Sequence, residues 1–307
     1  LPFIGIYMKY LSVCSGIEAA TCAWENLGWQ PAGFSEIEPF PCAVLKHHYP
    51  TVTNYGDINE HAKWDLPPID LLVGGTPCQS FSIAGLRKGL EDPRGNIMLT
   101  YLRILESRRP KWTIWENVPG VLSSNGGRDF STFITSLGNM GYGWAYRVLD
   151  AQWFGLAQRR KRVFVVGCLG DRTSASKVLF ESQSVQRNPA PSRYTGKTTT
   201  RDIKECTTVW RAGDNTNSET CINHAGTLNC NKGQRGGIVA MQSTAVRRLT
   251  PTECERLQGF PDGYTAIAWR KKLTADCPDG PRYKALGNSM AVPVMKWIGE
   301  RINNLKD

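Results

Sequence analysis

The chain has 307 residues, 41% of them hydrophobic, and a formal net charge of +10. That length holds one large α/β domain, or one domain with a smaller insert. No apolar run approaches the ~20 residues of a membrane helix, and the apolar start Leu1–Tyr7 has no basic lead-in, which argues against a spanning segment and a signal peptide, with Met8 read as the natural start.

The ten cysteines include no Cys-x-x-Cys pair, which points to a reducing compartment, the cytoplasm, with free thiols. Cys206, Cys221, His224 and Cys230 fall in one segment, but their spacing matches no common zinc pattern, so no metal is expected. The charge is uneven, with +2 in residues 1–170 and +8 in 171–307. A basic excess confined to one half suits a polyanion such as nucleic acid, and equally an ordinary basic surface.

In chain order, Lys9–Cys14 reads as a strand, Ala19–Leu27 as a helix, Ala32–Ser35 as a strand and Phe40–His48 as a helix. Leu71–Val73 and Thr113–Trp115 read as further strands, with a helix over Ile97–Ser107 between them. Phe130–Met140 reads as helix and Val163–Gly167 as a short buried strand. Strands alternating with helices predict a parallel sheet covered on both faces. From Asp171 to Val246 the composition turns to Ser, Thr, Asn, Gln and Gly, and we read an insert of loops and short strands. Helices resume at Pro251–Leu257 and Met290–Leu305. The division is therefore 8–170 with 247–307 as one discontinuous domain, and 171–246 as the insert.

Three places carry chemistry. Gly74-Gly75-Thr76-Pro77-Cys78-Gln79-Ser80-Phe81-Ser82 follows the apolar run to Val73 and sets a thiol at the carboxyl edge of a sheet, where open α/β folds bind ligands. Cys78 is a candidate nucleophile, or a buried structural thiol on a turn. The turn Ser12-Val13-Cys14-Ser15-Gly16-Ile17-Glu18, with Glu36 ending the second strand and Asp57 ending a third segment, reads as an adenosine site; singly, each carboxylate is a helix cap or a solvated turn. Glu116, at a strand end before Asn117-Val118-Pro119, is expected to be desolvated with a raised pKa. In Gln158-Arg159-Arg160-Lys161-Arg162 the alternate residues Gln158, Arg160 and Arg162 share a face and suit a phosphate or carbonyl oxygen.

These elements, in this order, resemble the DNA cytosine-5 methyltransferases of bacteria and phages. Asp92-Pro93-Arg94-Gly95, Arg248-Leu249-Thr250-Pro251 through Gln258-Gly259-Phe260-Pro261, and Gly287-Asn288-Ser289 also correspond, so the likeness covers nearly all of the chain outside 171–246. It implies a Rossmann-like S-adenosylmethionine-dependent sheet with helices on both faces and a small inserted target-recognition domain. The resemblance makes Cys78 the nucleophile that adds to carbon 6 of a flipped cytosine. It makes Glu116 the group at the ring nitrogen, and Arg160 and Arg162 the contacts to the base carbonyl and nearby backbone. Ser15, Gly16 and Ile17, then Glu36 and Ile37, then Asp57 and Ile58 would line S-adenosyl-L-methionine, joined by Gly75, Pro77, Asn288 and Ser289. Gln79, Ser80, Ser82, Arg87, Arg94 and Gln158 would meet double-stranded DNA, and the insert would choose the sequence. A monomer in a restriction-modification, orphan or phage setting fits this family. Two positions depart from it: Glu18 and Ala19 stand where further glycines are usual, and Ile37 where a large aromatic is common. RNA methylation, DNA binding without catalysis, and a redox role for Cys78 are the rival readings.

Overall fold

Strands that are apolar on both sides need cover on both faces, and the helices of this chain provide it. The computed structural model describes residues 7–76, 97–180 and 245–305, and three strands between 206 and 242. Six strands form the main sheet: β1 (Lys9–Val13), β2 (Gln30–Ser35), β3 (Leu71–Gly74), β4 (Trp112–Asn117), β5 (Tyr142–Asp150) and β6 (Lys161–Leu169). Their spatial order is β2-β1-β3-β4-β6-β5. The first four are parallel, whereas β6 runs antiparallel to both β4 and β5. The sheet is therefore mixed where a parallel one was expected. The reason is β5, which the sequence reading did not pick out. It takes the edge, and a short link returns the chain as β6 into the gap beside β4.

Side chains alternate across this sheet. Tyr10, Leu71, Val73, Ile114, Phe164 and Val166 enter one core, while Leu11, Leu72, Trp115, Val163 and Val165 enter another. The first core is covered by α1 (Ala19–Trp24) and by α8 (Val292–Asn303); the second by α3 (Ile97–Arg108) and α4 (Arg128–Asn139). Trp24 Nε1 donates to Met295 O at 2.8 Å, fastening the first helix to the last. α2 (Pro39–His48) opens with proline at its first position, where the absent N–H costs nothing. α6 (Pro251–Gln258) carries a capping box between Thr250 and Glu253 and stops at Gly259, whose φ of 82° suits glycine. α7 (Asp279–Asn288) was not anticipated; its Asp-Gly-Pro start reads as a turn.

α5 (Ser174–Leu179) corrects the boundary drawn at 171. Ala175, Val178 and Leu179 lie in the core of Tyr10 and Ile298. Arg301 of α8 donates to the carbonyls of Lys177, Val178 and Phe180. Residues 174–179 thus belong with the main sheet. Beyond them, β7 (Cys206–Arg211), β8 (Thr220–Cys221), β9 (Ile238–Gln242) and β10 (Ala245–Arg248) make a separate antiparallel sheet of order β10-β9-β7-β8. Among the described residues, no helix is long and apolar enough to cross a membrane.

The parallel strands all end at one edge. Neighbouring strands lie ~4.8 Å apart, so the ends of β2, β1, β3 and β4 span about 14 Å. That row carries residues 36–38, 14–18, 75–76 and 116–118.

Candidate active site

The first half of the row is built from backbone amides and carboxylates. After β1 the chain passes through three left-handed residues, Cys14 at φ 50°, Gly16 at 57° and Glu18 at 65°. A non-glycine residue there costs on the order of 1–3 kcal/mol and persists only where the surroundings fix it. Several contacts do so. Gly16 N donates to Glu36 Oε2 at 2.8 Å, and Glu36 Oε1 accepts from Ile37 N and Glu38 N at 2.8 and 2.7 Å. Ser35 N donates to Ser15 Oγ at 3.1 Å. Glu18 caps α1 by accepting from Thr21 N at 3.1 Å. Its other oxygen has no hydrogen-bond partner, although the side chain is buried. Burial above all pushes the Glu18 carboxyl up to about 7, against the lowering influence of the Ser12 and Thr21 groups. Burial, then Glu36 and Asp57, pushes the Cys14 thiol up to about 12, so both carboxylates of the expected adenosine site bear on this turn.

This half fits an adenosine-bearing cofactor. A Cβ on Gly16 would meet nothing within 4 Å, leaving open space beside the loop. Ile37 is 65% exposed just past Glu36, an apolar surface waiting beside a carboxylate. Asp57 begins a short 3₁₀ turn and accepts from Asn59 N at 2.9 Å. Two of the expected cofactor residues are buried. The side chains of Ile17 and Ile58 are buried in the two cores, so only their backbones remain for a ligand.

The second half is built from β3 and β4. Gly75 is required by close approach, since a Cβ there would stand 3.0 Å from Glu116 Oε2 and 3.4 Å from Met290 Cε. Trp115 Nε1 donates to Thr76 Oγ1 at 3.0 Å and Asn117 Nδ2 to Thr76 O at 2.8 Å. Thr76, which the sequence reading did not single out, is thus tied to β4 on either side of Glu116; its place directly before Pro-Cys in the sequence was the available signal. Glu116 is buried, and Arg162 Nε lies 3.2 Å from its Oε1 without hydrogen-bond alignment. Burial raises the Glu116 pKa, and Arg162 and Arg160 oppose that rise.

The alternation at 158–162 holds: Gln158 and Arg160 are buried and Arg162 half-buried, while Arg159 and Lys161 are exposed. Their depths bear on two roles. Arg160 is 3% exposed and donates through Nη2 to Gly287 O and Ser289 O at 3.3 and 2.6 Å. Through Nη2 it pins the Gly287-Asn288-Ser289 turn, and its charge also bears on Glu116. Gln158 is 0% exposed, so a contact with DNA would need its surroundings to open. Asn288 is exposed at the end of α7, and Ser289 is buried. Cys78, Pro77, Gln79, Ser80, Ser82, Arg87 and Arg94 lie outside the described residues, as do His224 and Cys230 of the zinc spacing.

A family model described as C-5 cytosine-specific DNA methylase matches residues 8–221 and 209–304. The chain is 35% identical to a DNA N-6-adenine-methyltransferase of Escherichia phage P1, over 95% of this chain and 61% of that protein. It is 31% identical to the type II methyltransferase M2.BsuMI of Bacillus subtilis, over 97% of this chain and 76% of that protein. Solved structures share the fold: Dnmt2 methyltransferase of S. pombe at a TM-score of 0.69 and 18% identity, covering 98% of this chain and all of that one, and a putative DNA modification methyltransferase of an E. coli prophage at 0.66 and 16%, covering 97% and 99%.

Proposed function

Because the chain belongs to the C-5 cytosine-specific DNA methylase family, we propose that it methylates carbon 5 of cytosine in double-stranded DNA, with S-adenosyl-L-methionine as donor. The observation that carries the reading is the pairing of a desolvated Glu116 with a half-buried Arg162 directly beside the anchored Thr76. Cys78 follows Thr76 by two residues, a span of at most about 7 Å.

Carbon 5 of cytosine is a weak nucleophile. A thiolate adding at carbon 6 forms the S–C bond and moves an electron pair toward the ring nitrogen and carbon 5. Cys78 takes that role. Glu116, whose burial favours the protonated form, donates to the endocyclic nitrogen as negative charge develops there, and Arg162 steadies the same region. When bound, S-adenosylmethionine supplies an electrophilic methyl group. Loss of the carbon 5 proton to a base then expels the thiolate and restores the aromatic ring. The target must leave the stacked helix first, at a cost of roughly a few kcal/mol. Phosphate contacts from the basic second half offset part of it. Glu36 and Asp57 would hold the ribose and adenine of the donor, and Ile37 would lie against the ring. The insert, 181–246 once α5 is assigned to the main sheet, would read base edges.

The name of the phage P1 relative favours a second reading, methyl transfer to the exocyclic nitrogen of adenine. That amine has its own lone pair and needs no thiol. The two readings separate in one experiment. Cys78→Ala should abolish methyl transfer and also the covalent adduct formed with 5-fluorocytosine DNA and cofactor. Full transfer by the variant, with N6-methyladenine as product, would overturn the cytosine reading.

A further inference from the structure

The loop between β1 and α1 is held from beneath by a residue far along the chain. Tyr264, 7% exposed, donates its hydroxyl proton to Ile17 O at 2.8 Å. A phenol has one proton to give, so the Tyr49 hydroxyl, 3.1 Å away, donates to Tyr264 in turn. Such a chain of donors strengthens each of its members in a buried setting. The Tyr264 ring stacks on His48 with centroids 4.0 Å apart and planes 4° apart, and on Phe260 at 4.7 Å. His48 Nε2 donates to Tyr264 O at 2.8 Å. Both ends of Tyr264 are therefore fixed, and its hydroxyl can move only if α2 and the segment after α6 move with it.

The peptide it grips lies between the left-handed residues Gly16 and Glu18. Glu36 holds the Gly16 amide on one side, and Tyr264 holds the Ile17 carbonyl on the other. We propose that Tyr264 is a positioning residue for S-adenosylmethionine binding, its hydroxyl keeping the 14–18 turn in the shape the cofactor meets. The inference rests on the methyltransferase reading, and it brings a residue from the last third of the chain to a turn whose other side-chain bonds come from the first.

The test uses the full-length protein without DNA. Tyr264→Phe keeps the ring and its stacking but removes the donor. Calorimetry should give S-adenosylmethionine binding about five- to tenfold weaker, the range of one buried hydrogen bond. Hydrogen exchange in the cofactor-free protein should quicken at the amides of residues 16–21, while kcat at saturating cofactor, measured in a separate assay with DNA as methyl acceptor, stays within twofold. A merely structural role would instead lower the melting temperature without favouring those amides. Tyr49→Phe leaves the bond to Ile17 and removes its support, so about a twofold weakening is expected; it also serves if the first variant fails to fold. Unchanged cofactor affinity and unchanged exchange in either folded variant would overturn the proposal. A wild-type protein that binds no S-adenosylmethionine would instead sink the methyltransferase reading, and the exchange measurement would still report on the turn.

Discussion

The two halves of the site differ in how complete their hydrogen bonding is. On the β1–β2 side, Glu36 accepts from three backbone amides, and the Ser15 and Ser35 hydroxyls are engaged as well. On the β4–β6 side, among the described residues, Glu116 Oε1 has only the unaligned Arg162 Nε at 3.2 Å, and both amide atoms of Gln158 and Gln258 Oε1 are buried without hydrogen-bond partners. Leaving such a group unmet costs about 1–3 kcal/mol. The first half is therefore the more completely hydrogen-bonded, whereas the second keeps several buried polar groups unbonded among the described residues. An ionised carboxylate offers about four acceptor positions, so Glu36 would give up one of its three amides, Ile37 N or Glu38 N, if it received two ribose hydroxyls as proposed.

The contrast can be broken at either end. The largest effect is expected from Glu116→Gln, which keeps shape but cannot supply a proton. Turnover should fall about 10²–10³-fold while calorimetric affinity for S-adenosylmethionine is kept; a variant that loses cofactor affinity instead would move Glu116 to the other half. Glu36→Ala should do the reverse, weakening cofactor binding by about 10- to 100-fold and leaving saturated turnover within a few fold. Equal losses in both quantities would erase the distinction between the halves.

The smallest effect sharpens the comparison, since Glu18 is the unmet group on the otherwise complete side. Its pKa is about 7 in the folded protein and near 4.5 when exposed. The folded chain therefore holds a proton that the unfolded chain has released, and stability falls as pH rises from about 4.5 to 7. The ceiling on that loss is about 3 kcal/mol. Glu18→Gln removes the slope, so its stability relative to the wild type should grow between pH 5 and pH 8 in urea unfolding. A constant difference across that range would show that Glu18 is not protonated on folding.

Much of this architecture was legible in the sequence because β1, β3 and β4 are continuous apolar runs ending in distinctive residues. β5 escaped because Trp144, Tyr146 and Val148 are apolar yet exposed on an edge strand, so the run gives no clean inside-outside pattern. At 158–162 the period of two named the inward face correctly. Depth is a different quantity, and only packing against the 287–289 turn reveals that Arg160 donates to carbonyls. Glu18 stood out as a departure from the family's glycines, but its cap on α1 depends on a left-handed backbone that sequence does not announce. Tyr264 had no local signal at all, since its partner lies 247 positions earlier.

That separation sets an order of events during synthesis. The bonds Tyr264–Ile17 and Trp24–Met295 close loops of 247 and 271 residues, and neither can form until residues 264 and 295 have left the ribosome. At ~5–20 residues per second, the nascent first third waits on the order of tens of seconds with its glycine turn unsupported. A chain stalled before Tyr264 would therefore carry the 14–18 turn without this hydrogen bond, and its amides should exchange faster than those of the finished chain.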